Sequence, residues 1–263
     1  MIQEFDLSGR TALVIGAAGD LGRHQALGLA RAGADVALAD LNMENLAALR
    51  LEIEKLGRKA RHYALDVTDP AAMDQTVTAV TGDFGRIDIL VNSAGITRRG
   101  ASEDYDQELF ERILDINLNG TFYACQAVGK IMIQQGGGRI INMGSIFSAT
   151  GIVESPAYAM SKGAVGQLTR ALAVEWAPYH VAVNSILPSW FDTQMGKVDP
   201  SFYKGAAKAP SQEELRKRTI GRVPMQRLGQ PHEIVGATVF LASGVASMVT
   251  GHSLAVDGGF LIQ

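Results

Sequence analysis

The stretch Thr11-Ala-Leu-Val-Ile15-Gly16-Ala-Ala-Gly19-Asp20-Leu21-Gly22 decides how this chain folds. Thr11 to Ile15 is a short apolar run bounded by Arg10 and Gly16, the pattern of a buried strand. Helical periodicity follows the glycines and continues through Ala32. Strand, glycine turn and helix open a dinucleotide-binding unit. There, glycine lets the backbone approach a pyrophosphate, which rests on the free amides of the helix N-terminus. A glycine motif alone is weak evidence, and the strand before it and helix after it give it weight.

Outward from this turn, strands and helices alternate. Asp35 to Asp40 reads as the second strand, Asn42 to Leu56 as an amphipathic helix, and Ala60 to Asp66 as the third strand. Asp69-Pro70 has the form of an N-cap followed by proline at the first helical position, opening a helix through Phe84. Ile87 to Val91 is the fourth strand, ending at Asn92-Ser-Ala-Gly95. Phe110 to Gln135 is a long helical region containing Asn117. Arg139 to Met143, Val181 to Leu187 and Ser253 to Val256 are the remaining strands, with a helix from Pro231 to Ala242. This alternation predicts an α/β fold: one doubly wound parallel sheet of about seven strands with helices on both faces, Rossmann-like, in a single domain over 1–263. Asp40 ends its strand 24 positions after Gly16. An acid near that distance hydrogen-bonds the adenosine ribose hydroxyls and repels a 2′-phosphate, so NAD is expected over NADP. Arg23, the nearest candidate to favour a phosphate, lies inside the helix.

A second stretch, Ser145 to Lys162, carries the candidate chemistry. Pro156 places Ser155 in extended geometry and favours a helix start just after it. Tyr158 and Lys162 then stand one turn apart on the same side of that helix. A phenol alone titrates near ~10, and a neighbouring ammonium pulls that value down. Tyr158 tuned in this way exchanges a proton with an alcohol oxygen near neutrality. Ser145, just past the apolar run Ile140 to Met143, sits at a strand tip where its hydroxyl would hold the same oxygen. Taken alone, Tyr-x-x-x-Lys describes many surface helices. Its company on one chain and in one order overturns that reading: the glycine turn, Asp40, Asn92-Ser-Ala-Gly95 and Asn117.

These motifs together resemble the short-chain dehydrogenase/reductase family, in its shorter single-domain branch, from about Leu7 to Gly259. The resemblance implies that Asn117 completes a proton relay to Lys162, that Lys162 also holds the nicotinamide ribose, and that Asp66 and Val67 lie along the adenine. It likewise implies cofactor contacts from Gly16, Gly19, Asp20, Leu21, Gly22, Leu41, Asn92, Ala94, Gly95, Pro188 and Thr193. Thr193 would hold the nicotinamide amide. The glycine turn departs from the branch, which has a glycine where Asp20 stands and a threonine where Ile15 stands. Gly16, Gly19 and Gly22 match instead the spacing of the longer branch. An aspartate beside a pyrophosphate is repulsive, so its carboxylate is expected to turn away and to cap the helix. The family is usually tetrameric, and the apolar tail Phe260-Leu-Ile fits burial at a homotetramer interface.

Composition bounds the alternatives. The chain has 263 residues, 47% hydrophobic and 19% charged, with a net charge of −3, which fits an ordinary globular protein. No lysine/arginine block points to nucleic acid or an anionic membrane. No apolar run reaches the ~18 residues of a membrane span. The acidic N-terminus lacks a signal-peptide core, so a cytoplasmic location is expected. Cys125 is the sole cysteine, and the histidines show no metal-ligand spacing.

The reading that follows is an NAD-dependent oxidoreductase interconverting a secondary alcohol and a ketone. A carrier-protein-dependent 3-oxoacyl reductase is disfavoured by Asp40 and by the lack of a basic patch. A silent cofactor-binding sensor is disfavoured by the complete catalytic set. A substrate lid is expected over about 190–223, with loop chemistry at Pro200, Gly205 and Pro210. The chain looks similar to sugar-alcohol and sugar-acid dehydrogenases of the family in its Asn-Ser-Ala-Gly-Ile start and in Arg98-Arg99. An arginine there is a candidate to bind a carboxylate bidentately; the alternative is two surface arginines paired with Glu103 or Asp104. Glu154 is a candidate acceptor for substrate hydroxyls, and Trp190 a candidate cover for the sugar or nicotinamide face.

Overall fold

The structure is a computed structural model and describes residues 3–196 and 211–263. Seven parallel strands form one sheet in the order β3-β2-β1-β4-β5-β6-β7. They are β1 (Thr11–Ile15), β2 (Asp35–Asp40), β3 (Ala60–Ala64), β4 (Ile89–Asn92), β5 (Gly138–Met143), β6 (Val181–Pro188) and β7 (Ser253–Val256). The order reverses between β1 and β4, so the ends of the chain's first and fourth strands part there and leave a crevice. Ile15, the last residue of β1, is flanked by Ala39 of β2 and Asn92 of β4.

Two hydrophobic cores pack the two faces. One contains Leu29, Leu38, Ile141, Ile234 and Leu241. It is closed by α1 (Asp20–Arg31) and α8 (Val235–Ala242), with α2 (Met43–Lys55) beside them. The other contains Leu13, Val77, Leu90, Val128, Leu172 and Trp176. It lies under α3 (Pro70–Phe84), α5 (Gly120–Gln134) and α6 (Pro156–Trp176). Every side chain of β1 is buried, as a central parallel strand with both faces covered requires.

Local chemistry sets the ends of these elements. The Asp69 carboxylate accepts the Ala71 and Ala72 amides at 2.8 and 3.1 Å, ahead of proline at the first position of α3, and Gly85 ends that helix in the left-handed region. The helix expected from Pro231 begins as a 3₁₀ turn over Pro231–Ile234 before α8. The long helical region around Asn117 is not uniform. It is α4 (Gln107–Leu114), a π turn (Asp115–Asn119) and then α5. Such a wide turn marks a place where a side chain is displaced from ordinary helical register.

Of the segment expected to act as a lid, 197–210 lies outside the described residues, including Pro200, Gly205 and Pro210. Its flanks are described: a 3₁₀ turn at Gln194–Gly196 and a short helix α7 (Gln212–Ile220), capped by Ser211. The base of the segment is fastened by Gly229, whose amide donates to the Trp190 carbonyl at 2.9 Å and whose carbonyl accepts the Asp192 amide at 2.8 Å.

Candidate active site

A cleft of about 630 Å³ opens at the C-terminal ends of β1, β2 and β4. Its outer half is built on the glycine turn. Gly16 has φ +80°, a left-handed conformation, and a Cβ there would run into the Ala94 backbone. A Cβ at Gly22 would run into the Gly16 carbonyl. The turn therefore closes against both the strand beyond it and its own helix only with glycine at these two positions. Gly19, Asp20, Leu21 and Gly22 line the cleft where α1 begins, leaving unsatisfied helix amides beside it. This cradle fits a dinucleotide pyrophosphate.

Asp20 departs from its expected role. Gly19 is the N-cap of α1 and makes no side-chain capping bond. Asp20 is the first helical residue, and its Oδ2 accepts the Gln194 backbone amide at 2.7 Å. The carboxylate thus ties the glycine turn to the segment following Thr193 instead of capping the helix.

Asp40 ends β2 at the outer wall. Its Oδ2 accepts the Ala18 amide at 3.1 Å, and its Oδ1 accepts the Asn42 amide at 3.0 Å. These bonds fix the carboxylate in the wall of the cleft. Leu41 beside it is 68% exposed and presents an apolar surface. Arg23 donates to both Glu52 oxygens at 2.7 and 2.8 Å, so it is committed to α2. Asp66 and Val67 form the next wall. Thr68 donates its amide and its hydroxyl to Asp66 at 3.0 and 2.7 Å. These bonds, the amide's first, hold the Asp66 carboxyl below the usual carboxylate range.

The inner end gathers Ala94, Gly95, Tyr158, Lys162, Pro188 and Thr193. Lys162 is 5% exposed, and its Nζ donates to the Met143 carbonyl at the end of β5, 2.7 Å away. Burial pulls its pKa down from 10.5 to about 8. Tyr158 is half-buried, with its ring 5.9 Å from Lys162 Nζ. Burial raises the Tyr158 phenol above its ordinary value, while the Ser145 hydroxyl beside it acts in the opposite direction. The sequence reading, in which Lys162 lowers the Tyr158 pKa, is thus corrected. Desolvation dominates both groups and shifts each toward its neutral form.

Ser145 is 4% exposed and starts a 3₁₀ turn over Ile146–Ser148. Its Oγ accepts the Phe147 amide at 3.2 Å, and its own amide donates to Ser148 Oγ at 3.2 Å. Asn117 lies beneath the cleft and is fully buried. Its Oδ1 accepts the Ile96 amide at 2.8 Å, and its Nδ2 donates to the Ile96 carbonyl at 2.9 Å and to Ser161 Oγ at 3.1 Å. The side chain therefore clamps the loop after β4 to the helix that carries Tyr158 and Lys162. A Cβ placed on Gly95 would stand 3.2 Å from Asn117 Oδ1 and 3.5 Å from Lys162 Nζ, so Gly95 keeps this corner open.

Asn92 does not present its side chain to the cleft. It is buried and donates to Asn142 Oδ1 at 2.9 Å, while Asn142 donates to Thr169 Oγ1 at 3.0 Å. This polar ladder joins β4, β5 and α6 below the site.

The four residues assigned to substrate lie outside the cleft wall. Arg98 is exposed and donates Nη1 to the Thr97 carbonyl at 2.9 Å, while Arg99 is half-buried. Glu154 is exposed, in the left-handed region at φ 60°, and its carbonyl accepts the Gly100 amide at 2.8 Å. Ser155 Oγ donates to the Arg98 carbonyl at 3.3 Å. One backbone bond and one hydroxyl-to-carbonyl bond thus stitch the two loops together at the mouth. Trp190 stacks edge-on against Phe147 at 5.8 Å and Phe260 at 5.0 Å. Phe147 in turn meets the Tyr158 ring edge-on at 6.4 Å. Sequence reasoning missed Phe147 and Arg222 and read Phe260 only as an interface residue; Phe260 is buried within the chain, and the Arg222 guanidinium lies over both the Trp190 and Phe260 rings at 5.5 and 5.4 Å. Nothing local in the sequence brings these three together. Their common partner is Trp190.

Cleft, glycine turn and Tyr158–Lys162 pair describe a nicotinamide-dependent oxidoreductase, and comparison with known proteins agrees. The family model described as enoyl-(acyl carrier protein) reductase, of the short-chain dehydrogenase group, matches residues 16–261. The chain belongs to the short-chain dehydrogenase/reductase family. It is 40% identical to D-threitol dehydrogenase of Mycolicibacterium smegmatis, over 99% of this chain and 96% of that one. It is 38% identical to 2-dehydro-3-deoxy-D-gluconate 5-dehydrogenase of Pseudoalteromonas atlantica, over 99% of each. A gluconate 5-dehydrogenase from Burkholderia cenocepacia, solved with NADP and tartrate, superposes with a TM-score of 0.88 at 35% identity, covering 98% of this chain and 97% of that one. Among the described residues, no helix is long and apolar enough to cross a membrane.

Proposed function

We propose that the protein is an NAD-dependent dehydrogenase of a small polyol or sugar acid, interconverting a secondary alcohol and a ketone. The observation that carries this reading is the placement of Tyr158 and Lys162 at the inner end of a cleft whose outer wall is Asp40 and the glycine turn. The relatives acting on threitol and on a deoxygluconate support the substrate class.

A bound nicotinamide would accept the hydride of the alcohol carbon or return it to the ketone. Gly16, Gly22 and the first turn of α1 would hold the pyrophosphate, Asp40 the adenosine ribose, and Thr193 the carboxamide. Tyr158 gives a proton to the ketone oxygen or takes one from the alcohol, and Ser145 donates to that same oxygen. Lys162, fixed on the Met143 carbonyl beside Tyr158, would hold the nicotinamide ribose. Asn117 ties the loop after β4 to the helix that carries Lys162 and would anchor the water that relays protons to Lys162. NAD is the preferred cofactor because Asp40 faces the ribose and Arg23 is held by Glu52. The NADP in the Burkholderia structure is the finding this preference has to overcome.

The segment from about 190 to 223 acts as the substrate lid, and the aromatic set of Phe147, Trp190 and Phe260 walls the substrate side of Tyr158. Arg98 and Arg99 at the mouth are the candidates to meet a carboxylate. We further propose a homotetramer, on the partly exposed apolar side chains Phe122, Met160 and Val174 of α5 and α6; light scattering at a monomer mass would remove it.

The test is an assay with NAD over pentitols, hexitols, aldonates and 3-hydroxyacyl thioesters. Activity on polyols or aldonates is expected. Activity confined to the thioesters ends this reading in favour of an acyl reductase.

A further inference from the structure

At the opposite end of the strands from the cleft, by the N-terminal ends of β1, β4 and β5, lies a second cavity of about 460 Å³. Arg10, Arg86 and Arg139 line it, with Asp88 between them and Glu4, Asp6 and His180 around it. Asp88 is 4% exposed and already saturated. It accepts the Thr11 amide at 2.9 Å, Arg10 Nη1 at 3.1 Å, and Arg86 Nε and Nη2 at 2.6 to 2.9 Å. Asp6 Oδ1 accepts the Ser8 amide and hydroxyl, and the charge acting on that carboxylate is the one on Arg58.

Arg139 is left over. Its Nη1 donates only to the carbonyl of its neighbour Gly138, at 3.1 Å. Its Nε is buried with no hydrogen-bond partner. Among the described residues no carboxylate lies within 4.0 Å of it, and the charge it feels is the like charge of Arg10. A guanidinium carries five donors in a planar fork matched to two oxygens. The buried Nε is out of reach of the cavity, so an acceptor there would meet the guanidinium at its Nη edge and supply the counter-charge that Arg139 lacks.

We infer that this cavity is a binding site for a small oxyanion, a phosphate or a carboxylate, held between Arg139 and Arg10. The site faces away from the cofactor cleft, so its ligand is distinct from both cofactor and substrate. The cavity has room for an anion carrying a small polar body.

The test uses the full chain saturated with NAD, so that the pyrophosphate cradle is filled. Inorganic phosphate and acetate are titrated against sodium chloride at matched ionic strength, reading the melting temperature and the ³¹P line width. One or both anions should raise the melting temperature of the native protein, and the stronger of the two identifies the head group. Arg139→Met should weaken that response by about tenfold or more, the worth of one charge-assisted pair, with the rate of alcohol oxidation unchanged. Should Arg139→Met fail to fold, Arg139→Lys keeps the charge, loses the fork, and should still weaken binding several-fold. No response in the native protein up to about 50 mM, well above a millimolar Kd, overturns the site. An equal response in native and variant proteins also overturns it.

Discussion

Asp20 Oδ2 accepts the Gln194 amide at 2.7 Å, a bond between two residues 174 positions apart that spans the rim of the cofactor cleft. The first turn of a helix favours an acid, and here that acid is committed across the cleft. Asp20→Ala should free the segment after Thr193 and raise the KM for cofactor several-fold. Asp20→Asn keeps an acceptor and should stay near the native value. Initial-rate kinetics of the two variants decide the matter, and equal KM values in both would remove the latch.

Asp40 sets the second prediction. Asp40→Ser removes the negative charge from the outer wall of the cleft while keeping an acceptor for the Ala18 amide. The ratio of kcat/KM for NAD over NADP should fall at least about tenfold, as loss of one repulsive charge contact implies. A native protein that uses both cofactors equally would show that Asp40 does not discriminate.

Tyr158→Phe should reduce turnover by about 10²–10⁴, the range of general acid–base catalysis, with cofactor binding retained. Because burial holds the phenol above its ordinary value, the phenolate needed to oxidise an alcohol grows with pH. Oxidation should therefore quicken toward alkaline pH and ketone reduction slow. Rates in both directions from about pH 6 to 10, on the acid side of the ordinary phenol value near ~10, test it.

Lys162 gives a stability prediction. Its pKa is about 8 when folded against 10.5 ordinarily. Between these values the unfolded chain binds the extra proton, so folding stability rises with pH across that window. Below it the buried ammonium is a fixed burden. Relative to Lys162→Met, the cofactor-free native protein should gain about 2–3 kcal/mol between pH 8 and 10.5. Urea unfolding of both proteins through this range reads the difference directly, and a flat difference contradicts the shift.

Asn117→Ala should destabilise the fold by about 2–4 kcal/mol, because it orphans buried groups on Ile96 and Ser161. Asn117→Asp keeps the acceptor for the Ile96 amide but loses both donations, and should fall between. Thermal melts rank the three proteins.

The sheet and the cofactor half of the site were legible because short-range patterns encode them. β1 and β7 have the bounds their apolar runs predict, and Pro156 opens α6 as its ring geometry requires. What was not legible depends on distant partners. Asp20 looked like a helix cap because its acceptor role is local in principle, but its donor lies across the cleft. The partner of the Asn92 side chain, Asn142 on the neighbouring strand, is likewise absent from the sequence of either strand alone. The Tyr158 shift was misread because spacing reveals a nearby ammonium and conceals desolvation. The aromatic set around Trp190 joins four separate elements, and no single window of sequence contains it.

The π turn between Asp115 and Asn119 has a consequence for chain length. Each residue of an ordinary helix rotates its successor by about 100°, and a wide turn absorbs one additional residue within the same rise. Deleting any one residue between 107 and 117 would let α4 and α5 merge into a straight helix and swing either Asn117 or the apolar face of α4 out of place. Two chains identical at Asn117, Ser145, Tyr158 and Lys162 would then part company over a count of residues rather than over their kind. The spacing upstream of Asn117 is as much a component of the site as the asparagine.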